Sequence, residues 1–310
     1  MEKHSEKWTS MLIGKDLLSL SFSTLILFLL HINGNAQHMN DTMRHTKIKG
    51  ISIAFQQAGT GPALVLLHGG ANTNSRMWKP QFKSLSENFT VIAWDAPGAG
   101  LSDDPPESFK MNNWADYLAG FLDSIGYKKA HILGLSWGSV LAQVFYQRHP
   151  NYVVSLILCG AYTGWKSSLS DSIANKRLTA ALHDITLPPK EFASKYLPSM
   201  FSDAAPQEVK EELSNIMSSN FHLVGCRLIF ATMAEVDTKV VLPTIKVPTL
   251  LIWGEADKRS PLNVAREFHD AIPNSKLEII FHAGHVCNME KPEQFNKVVK
   301  DFCLSVSLKK

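Results

Sequence analysis

Apolar and polar positions follow two rhythms along the chain. Short unbroken apolar runs recur at Ala63–His68, Thr90–Trp94, Ala130–Leu135, Val153–Cys159, Thr249–Trp253 and Lys276–Phe281. Runs of this length fit strands buried on both faces of a parallel sheet. Between them, apolar residues fall at helical spacing. Trp114, Leu118, Phe121, Leu122 and Ile125 form one stripe, closed by Gly126 as a C-terminal cap. Val140, Leu141, Val144 and Phe145 form a second. Pro261 opens a third ahead of Val264, Ala265, Phe268 and Ile272, and Pro292 opens a fourth ahead of Phe295, Val298, Val299, Phe302 and Val306. The alternation predicts an α/β fold with a doubly wound, mostly parallel sheet. Lys47 to Ala58 reads as antiparallel edge strands.

The rhythm breaks from about Tyr162 to Val240, where no strong strand signal occurs. Pro188-Pro189 and Pro198 separate helix-like pieces, such as Pro206 to Ser218. This predicts a helical cap over 162–240, inserted between core segments 37–161 and 241–310.

The N-terminus carries another pattern. Lys3, Lys7 and Lys15 precede an apolar run from Leu17 to Leu30, and the small residues Gly34 and Ala36 follow. That order predicts a signal peptide over 1–36, cleavage before Gln37, and an exported protein, periplasmic or secreted. The alternative is an uncleaved N-terminal membrane anchor, for which the run falls short of the roughly 20 residues a span needs.

Composition narrows the function classes. A chain of 310 residues that is 45% hydrophobic is not disordered. Its 31 basic and 28 acidic residues are not clustered, so they give no footprint for nucleic acid. The four cysteines are too few for a disulfide-stapled scaffold. Export would let Cys159, Cys226, Cys287 and Cys303 pair in several ways. They read first as small buried hydrophobes, since Cys159 lies in an apolar run and Cys303 on the last helical stripe.

The chemistry concentrates at Gly134-Leu135-Ser136-Trp137-Gly138, between a strand and a helix. A turn this sharp strains Ser136 and leaves its hydroxyl at the carboxyl end of the sheet. A serine hydroxyl is a poor nucleophile at neutral pH and needs a base, itself oriented by a carboxylate. Asp257 and His285 follow the later strands in the order this fold requires. Glu255 competes for the acid but lies close to its strand. His282 competes for the base but still belongs to a strand end. A His282-x-x-His285 metal pair has no accompanying ligands in the sequence. Backbone N–H groups of Gly70 and Trp137 are the candidate oxyanion donors. Asp95 and Ser102 read as loop hydrogen-bonders. Trp78, Trp137 and Trp165 are candidate walls of an apolar pocket.

These motifs resemble the α/β-hydrolase fold superfamily, in the branch with a helical cap after the sixth strand. The matching segments are His68-Gly69-Gly70 with Trp78, Asp95-x-Pro97-Gly98-x-Gly100-x-Ser102, Gly134-x-Ser136-x-Gly138, Gly254-Glu255-x-Asp257, and Gly284-His285 with Glu290 and Pro292. Family members often carry Arg where Pro97 stands. Serine at 136, where epoxide hydrolases and haloalkane dehalogenases carry Asp, argues against both. The resemblance implies a serine hydrolase that cleaves a small ester or lactone through an acyl-enzyme, with no metal or organic cofactor. Other readings are a proline-iminopeptidase-like aminopeptidase, a carbon–carbon bond hydrolase using Arg227 in the cap, and a slow-turnover ligand receptor. The first shares Ser136-Trp137-Gly138-Ser139, but Gly69-Gly70-Ala71-Asn72 stands where such enzymes usually have Gly-Gly-Pro-Gly. No nucleic-acid partner is expected, and no membrane span once the leader is removed.

Overall fold

The computed structural model describes residues 43–307. The leader or anchor expected over 1–36 lies outside them. An eight-stranded sheet forms the centre, in the order β1-β2-β4-β3-β5-β6-β7-β8. The strands are β1 (Arg44–Ile48), β2 (Ile51–Ala58), β3 (Ala63–Leu67), β4 (Thr90–Trp94), β5 (Ala130–Leu135), β6 (Val153–Cys159), β7 (Thr249–Gly254) and β8 (Lys276–Ile280). β2 pairs antiparallel with β1 and with β4, and every other pairing is parallel.

The apolar runs explain which strands are central. Every residue of β3, β4, β5 and β7 is buried, because helices cover both faces. The last run behaves differently from its expectation. β8 is the sheet edge, its Lys276 and Glu278 are exposed, and it stops at Ile280. Phe281 lies beyond it in a turn, 58% exposed, because an edge strand is covered less completely.

Outside the span between β6 and β7, the helices are α1 (Lys79–Leu85), α2 (Met111–Ser124) and α3 (Trp137–Arg148), then the C-terminal set. Between β6 and β7 come five: α4 (Trp165–Ser168), α5 (Asp171–Asp184), α6 (Pro189–Met200), α7 (Gln207–Ser218) and α8 (Leu223–Glu235). The C-terminal set is α9 (Leu262–Ala271), α10 (Cys287–Glu290) and α11 (Pro292–Ser307). Pro198 lies inside α6 rather than between helices. Pro198 removes one N–H···O bond of the ladder two residues before the helix ends, and Pro189 sits at the start of the same helix, where its missing N–H is not needed. Among the described residues, no helix is long and apolar enough to cross a membrane.

The strand order fixes where a site can lie. β5 pairs with β3 on one side, whereas β4 lies on the far side of β3. The order in which strands are added to the sheet reverses there, and the crevice opens beyond the carboxyl ends of β3 and β5. Gly69-Gly70 follows the first of those strands and Ser136 the second.

Candidate active site

Ser136 occupies the single residue between β5 and α3. Its backbone is at φ 55° and ψ −114°, strained for a side chain with a Cβ. Surrounding hydrogen bonds hold it there. The Ser136 N–H donates to the Cys159 carbonyl at 2.9 Å. The Ser136 carbonyl accepts from the Ser139 hydroxyl at 2.5 Å and from the Ser139 N–H at 2.9 Å. The flanking glycines are required by close approach. A methyl on Gly134 would drive into the Gly138 carbonyl, and one on Gly138 into the carbonyls of Leu67 and His68.

His285 and Asp257 form a buried pair, with Nδ1 2.8 Å from Oδ2 and side chains 2% and 0% exposed. The other carboxylate oxygen accepts N–H groups of Arg259 at 2.8 Å and Ser260 at 2.9 Å. These contacts set the direction of the carboxylate and, through it, the ring. Nε2 is the free face of that ring, buried and with no hydrogen-bond partner among the described residues. His285 and Ser136 line the same cleft. The chain just beyond β6 runs so close that a Cβ on Gly160 would sit 2.9 Å from His285 Nδ1.

The histidine loop is clamped from below and above. The buried Glu290 carboxylate accepts the Gly284 N–H at 2.6 Å and the Ser202 hydroxyl at 2.6 Å. The Val286 N–H donates to the Met200 carbonyl at 3.1 Å. The end of α6 and the His285 loop are therefore tied together. Glu290 entered the sequence reading only as part of a motif, because its partners at 202 and 284 come from different parts of the chain.

Gly70 and Trp137, the expected oxyanion donors, both line the cleft. A Cβ on Gly70 would lie 3.8 Å from that of Trp137, so the two backbones approach closely. Trp137 is the first residue of α3, where an N–H has no acceptor within the helix. His68 shapes the loop before them. Its Nε2 accepts the Ala96 N–H at 3.1 Å, and its Nδ1 lies 2.7 Å from the Gly69 carbonyl. Burial pushes its pKa down, which favours the neutral ring these contacts need.

The cleft has apolar walls from Leu135, Trp165, Ile229, Phe230 and Met233. Trp165 lies there with its ring 6.0 Å from that of Phe230. Trp78 does not. It is fully buried against Phe295 of α11, and its neighbour Met77 faces the cleft instead. A one-residue change in a tight helical turn points the side chain elsewhere, which sequence spacing cannot resolve.

The competing candidates lie elsewhere. Glu255 accepts the His282 N–H at 3.1 Å, and the His282 side chain is 82% exposed. His282 and His285 therefore do not face a common ligand position. Arg227 pairs with Glu107 and does not line the cleft. Asp95 and Ser102 serve their loop: Asp95 accepts the N–H groups of Ser75 and Leu101, and Ser102 donates to the Asp95 carbonyl. All four cysteines are buried. Burial pushes the Cys226 and Cys303 thiols up to about 12, so they stay protonated.

Residues 62–292 match the family described as alpha/beta hydrolase fold. The chain belongs to that family and is an α/β-hydrolase enzyme. It is similar to a 2-hydroxy-6-oxononadienedioate/2-hydroxy-6-oxononatrienedioate hydrolase of Burkholderia vietnamiensis, 31% identical over 81% of this chain and 91% of that protein. It is 26% identical to 3-oxoadipate enol-lactonase 1 of Acinetobacter baylyi, over 83% of this chain and 94% of that one. Among solved structures, a thermophilic esterase from Thermogutta terrifontis superimposes with a TM-score of 0.78 at 28% identity, covering 86% of this chain and 99% of the esterase.

Proposed function

We propose that this hydrolase cleaves a carboxylic ester or lactone through an acyl-enzyme on Ser136. The observation that carries the reading is the buried Asp257–His285 pair, whose free Nε2 shares a cleft with Ser136. In the mechanism, Ser136 Oγ attacks the carbonyl while His285 Nε2 takes its proton. Asp257 holds the imidazole and stabilises its charged form. The N–H groups of Gly70 and Trp137 bind the developing oxyanion. The alcohol leaves with the proton from His285, which then activates a water to release the acid. Ser136 is not hydrogen-bonded to His285 Nε2 in the resting structure, and catalytic groups of free enzymes often tighten only on substrate. No step draws on a metal or an organic cofactor. The similarity to a lactonase and an esterase supports the same reaction class. Purified protein assayed on p-nitrophenyl esters, lactones and aminoacyl anilides tests it. Turnover of esters or lactones is expected, and turnover of anilides alone contradicts it.

A second reading, carbon–carbon bond hydrolysis, draws on the 31% identical relative. Arg227, the cap residue weighed for it, is occupied by Glu107. The same substrate panel with an added vinylogous 1,5-diketone separates the two readings.

The helices between β6 and β7 serve as the substrate-selecting roof, because Trp165, Met200, Ile229, Phe230 and Met233 all come from them. Phe230→Ala is expected to move the preference among p-nitrophenyl esters toward longer acyl chains. Removing a wall of this size shifts discrimination by about 1–3 kcal/mol, roughly 10–200-fold. An unchanged chain-length profile would contradict the role.

The protein acts outside the cytoplasm, as a chain beginning near Gln37. Support comes from the charged, apolar, small-residue order of residues 3–36. N-terminal sequencing of protein from the exported fraction should read from Gln37. An intact Met1 chain in the membrane fraction would indicate the anchor instead.

A further inference from the structure

Arg259 is the one permanently charged side chain among the described residues that line the cleft. Its position is built. The backbone N–H binds Asp257, Nη1 donates to the Ser199 hydroxyl at 3.0 Å, and the guanidinium lies 5.4 Å from the Tyr196 ring centre. Its remaining side-chain N–H groups meet no acceptor among the described residues.

No carboxylate neutralises it there. The acids around this wall are engaged elsewhere: Asp257 with His285, Asp184 with Lys195 and Asp203 with Lys258. A second guanidinium stands behind it instead. Arg177 of α5 donates to the Arg259 carbonyl at 3.0 Å and to the Tyr162 hydroxyl at 3.1 Å. Arg177 also forms no ion pair among the described residues. The Tyr162 ring lies 6.3 Å from that of His285, so the positive wall adjoins the reacting centre. Burial pushes the Arg259 pKa down and the charge of Arg177 pushes the same way, while Tyr162, Tyr196 and Asp257 oppose them in part.

Two like charges beside an apolar cleft are unfavourable unless an anion joins them. A guanidinium with open N–H donors presents the fork that matches a planar carboxylate, and apolar surroundings strengthen the pair. We propose that the substrate carries a free carboxylate on its non-reacting arm, held by Arg259 with Arg177 behind it. Arg259 is thus the specificity-determining residue of the cleft. The proposal takes the reacting bond from the serine-hydrolase reading above, but the anion site stands on its own residues.

The test compares the mono-p-nitrophenyl ester of glutaric acid with its methyl-capped counterpart, which lacks the charge. The wild type should favour the charged ester by roughly 10–100-fold in kcat/KM, mostly through KM. Arg259→Met should bring that ratio close to one, and Arg259→Lys should keep part of it by restoring the charge. Arg177→Met should lower the ratio less. Succinate and adipate homologues then measure the distance from the anion site to Ser136, as the chain length at which preference peaks. Calorimetric titration with glutarate gives a readout free of catalysis: binding by the wild type, weakened at least about tenfold in folded Arg259→Met. A wild-type ratio near one, a ratio unchanged in Arg259→Met, or equal glutarate binding by both proteins overturns the proposal. If no p-nitrophenyl ester turns over while glutarate binding still depends on Arg259, the esterase reading fails and the anion site stands.

Discussion

Ser136→Ala is expected to lower kcat on a p-nitrophenyl ester by roughly 10⁶-fold while KM changes little. The change removes the attacking oxygen and nothing that shapes the cleft. The strained backbone is held by the bond from the Ser136 N–H to Cys159 and by the Ser139 N–H and hydroxyl on the Ser136 carbonyl, all of which alanine keeps. The variant should therefore fold and still bind substrate. Residual hydrolysis of ~10³-fold over water can persist from the oxyanion donors and binding alone. Steady-state kinetics on the folded variant checks this, and a loss below about tenfold would place the nucleophile elsewhere.

Asp257→Asn should lower kcat by about 10⁴-fold with little change in fold. The direction follows from the partners of the carboxylate. Oδ1 accepts the N–H groups of Arg259 and Ser260, so an asparagine must keep its carbonyl oxygen on that side. Its NH2 group then faces His285 Nδ1. That nitrogen becomes the acceptor, the ring proton moves to Nε2, and the base is blocked where Ser136 needs it. Glu255→Gln is the control, since Glu255 contacts the exposed His282 rather than His285, and its activity should remain near wild type. The two variants assayed side by side settle which carboxylate orients the ring.

Much of this arrangement was legible in the sequence because it is local or follows chain order. Strands buried on both faces leave unbroken apolar runs, which marked β3 to β7. The elbow requires glycines at fixed offsets around Ser136, and a five-residue motif records them. What stayed hidden depends on contacts between distant segments. Glu290 binds Ser202, Arg177 binds Arg259, and neither pair has a spacing that a reader could detect. Trp78 illustrates the opposite error. Its place in the motif suggested the pocket, but the turn that leads into α1 buries it against α11 and presents Met77 instead. Edge position likewise cannot be read from a run such as Lys276 to Phe281, since it depends on what pairs beyond it.

The nucleophile can be located chemically in one measurement. A fluorophosphonate reacts with a serine only where a base activates it and an oxyanion site receives the phosphoryl oxygen. Wild-type protein labelled with such a probe, then digested and analysed by mass spectrometry, should carry one adduct, on Ser136, and folded Ser136→Ala should carry none. An adduct on another residue, or labelling that survives in Ser136→Ala, would contradict the proposed mechanism.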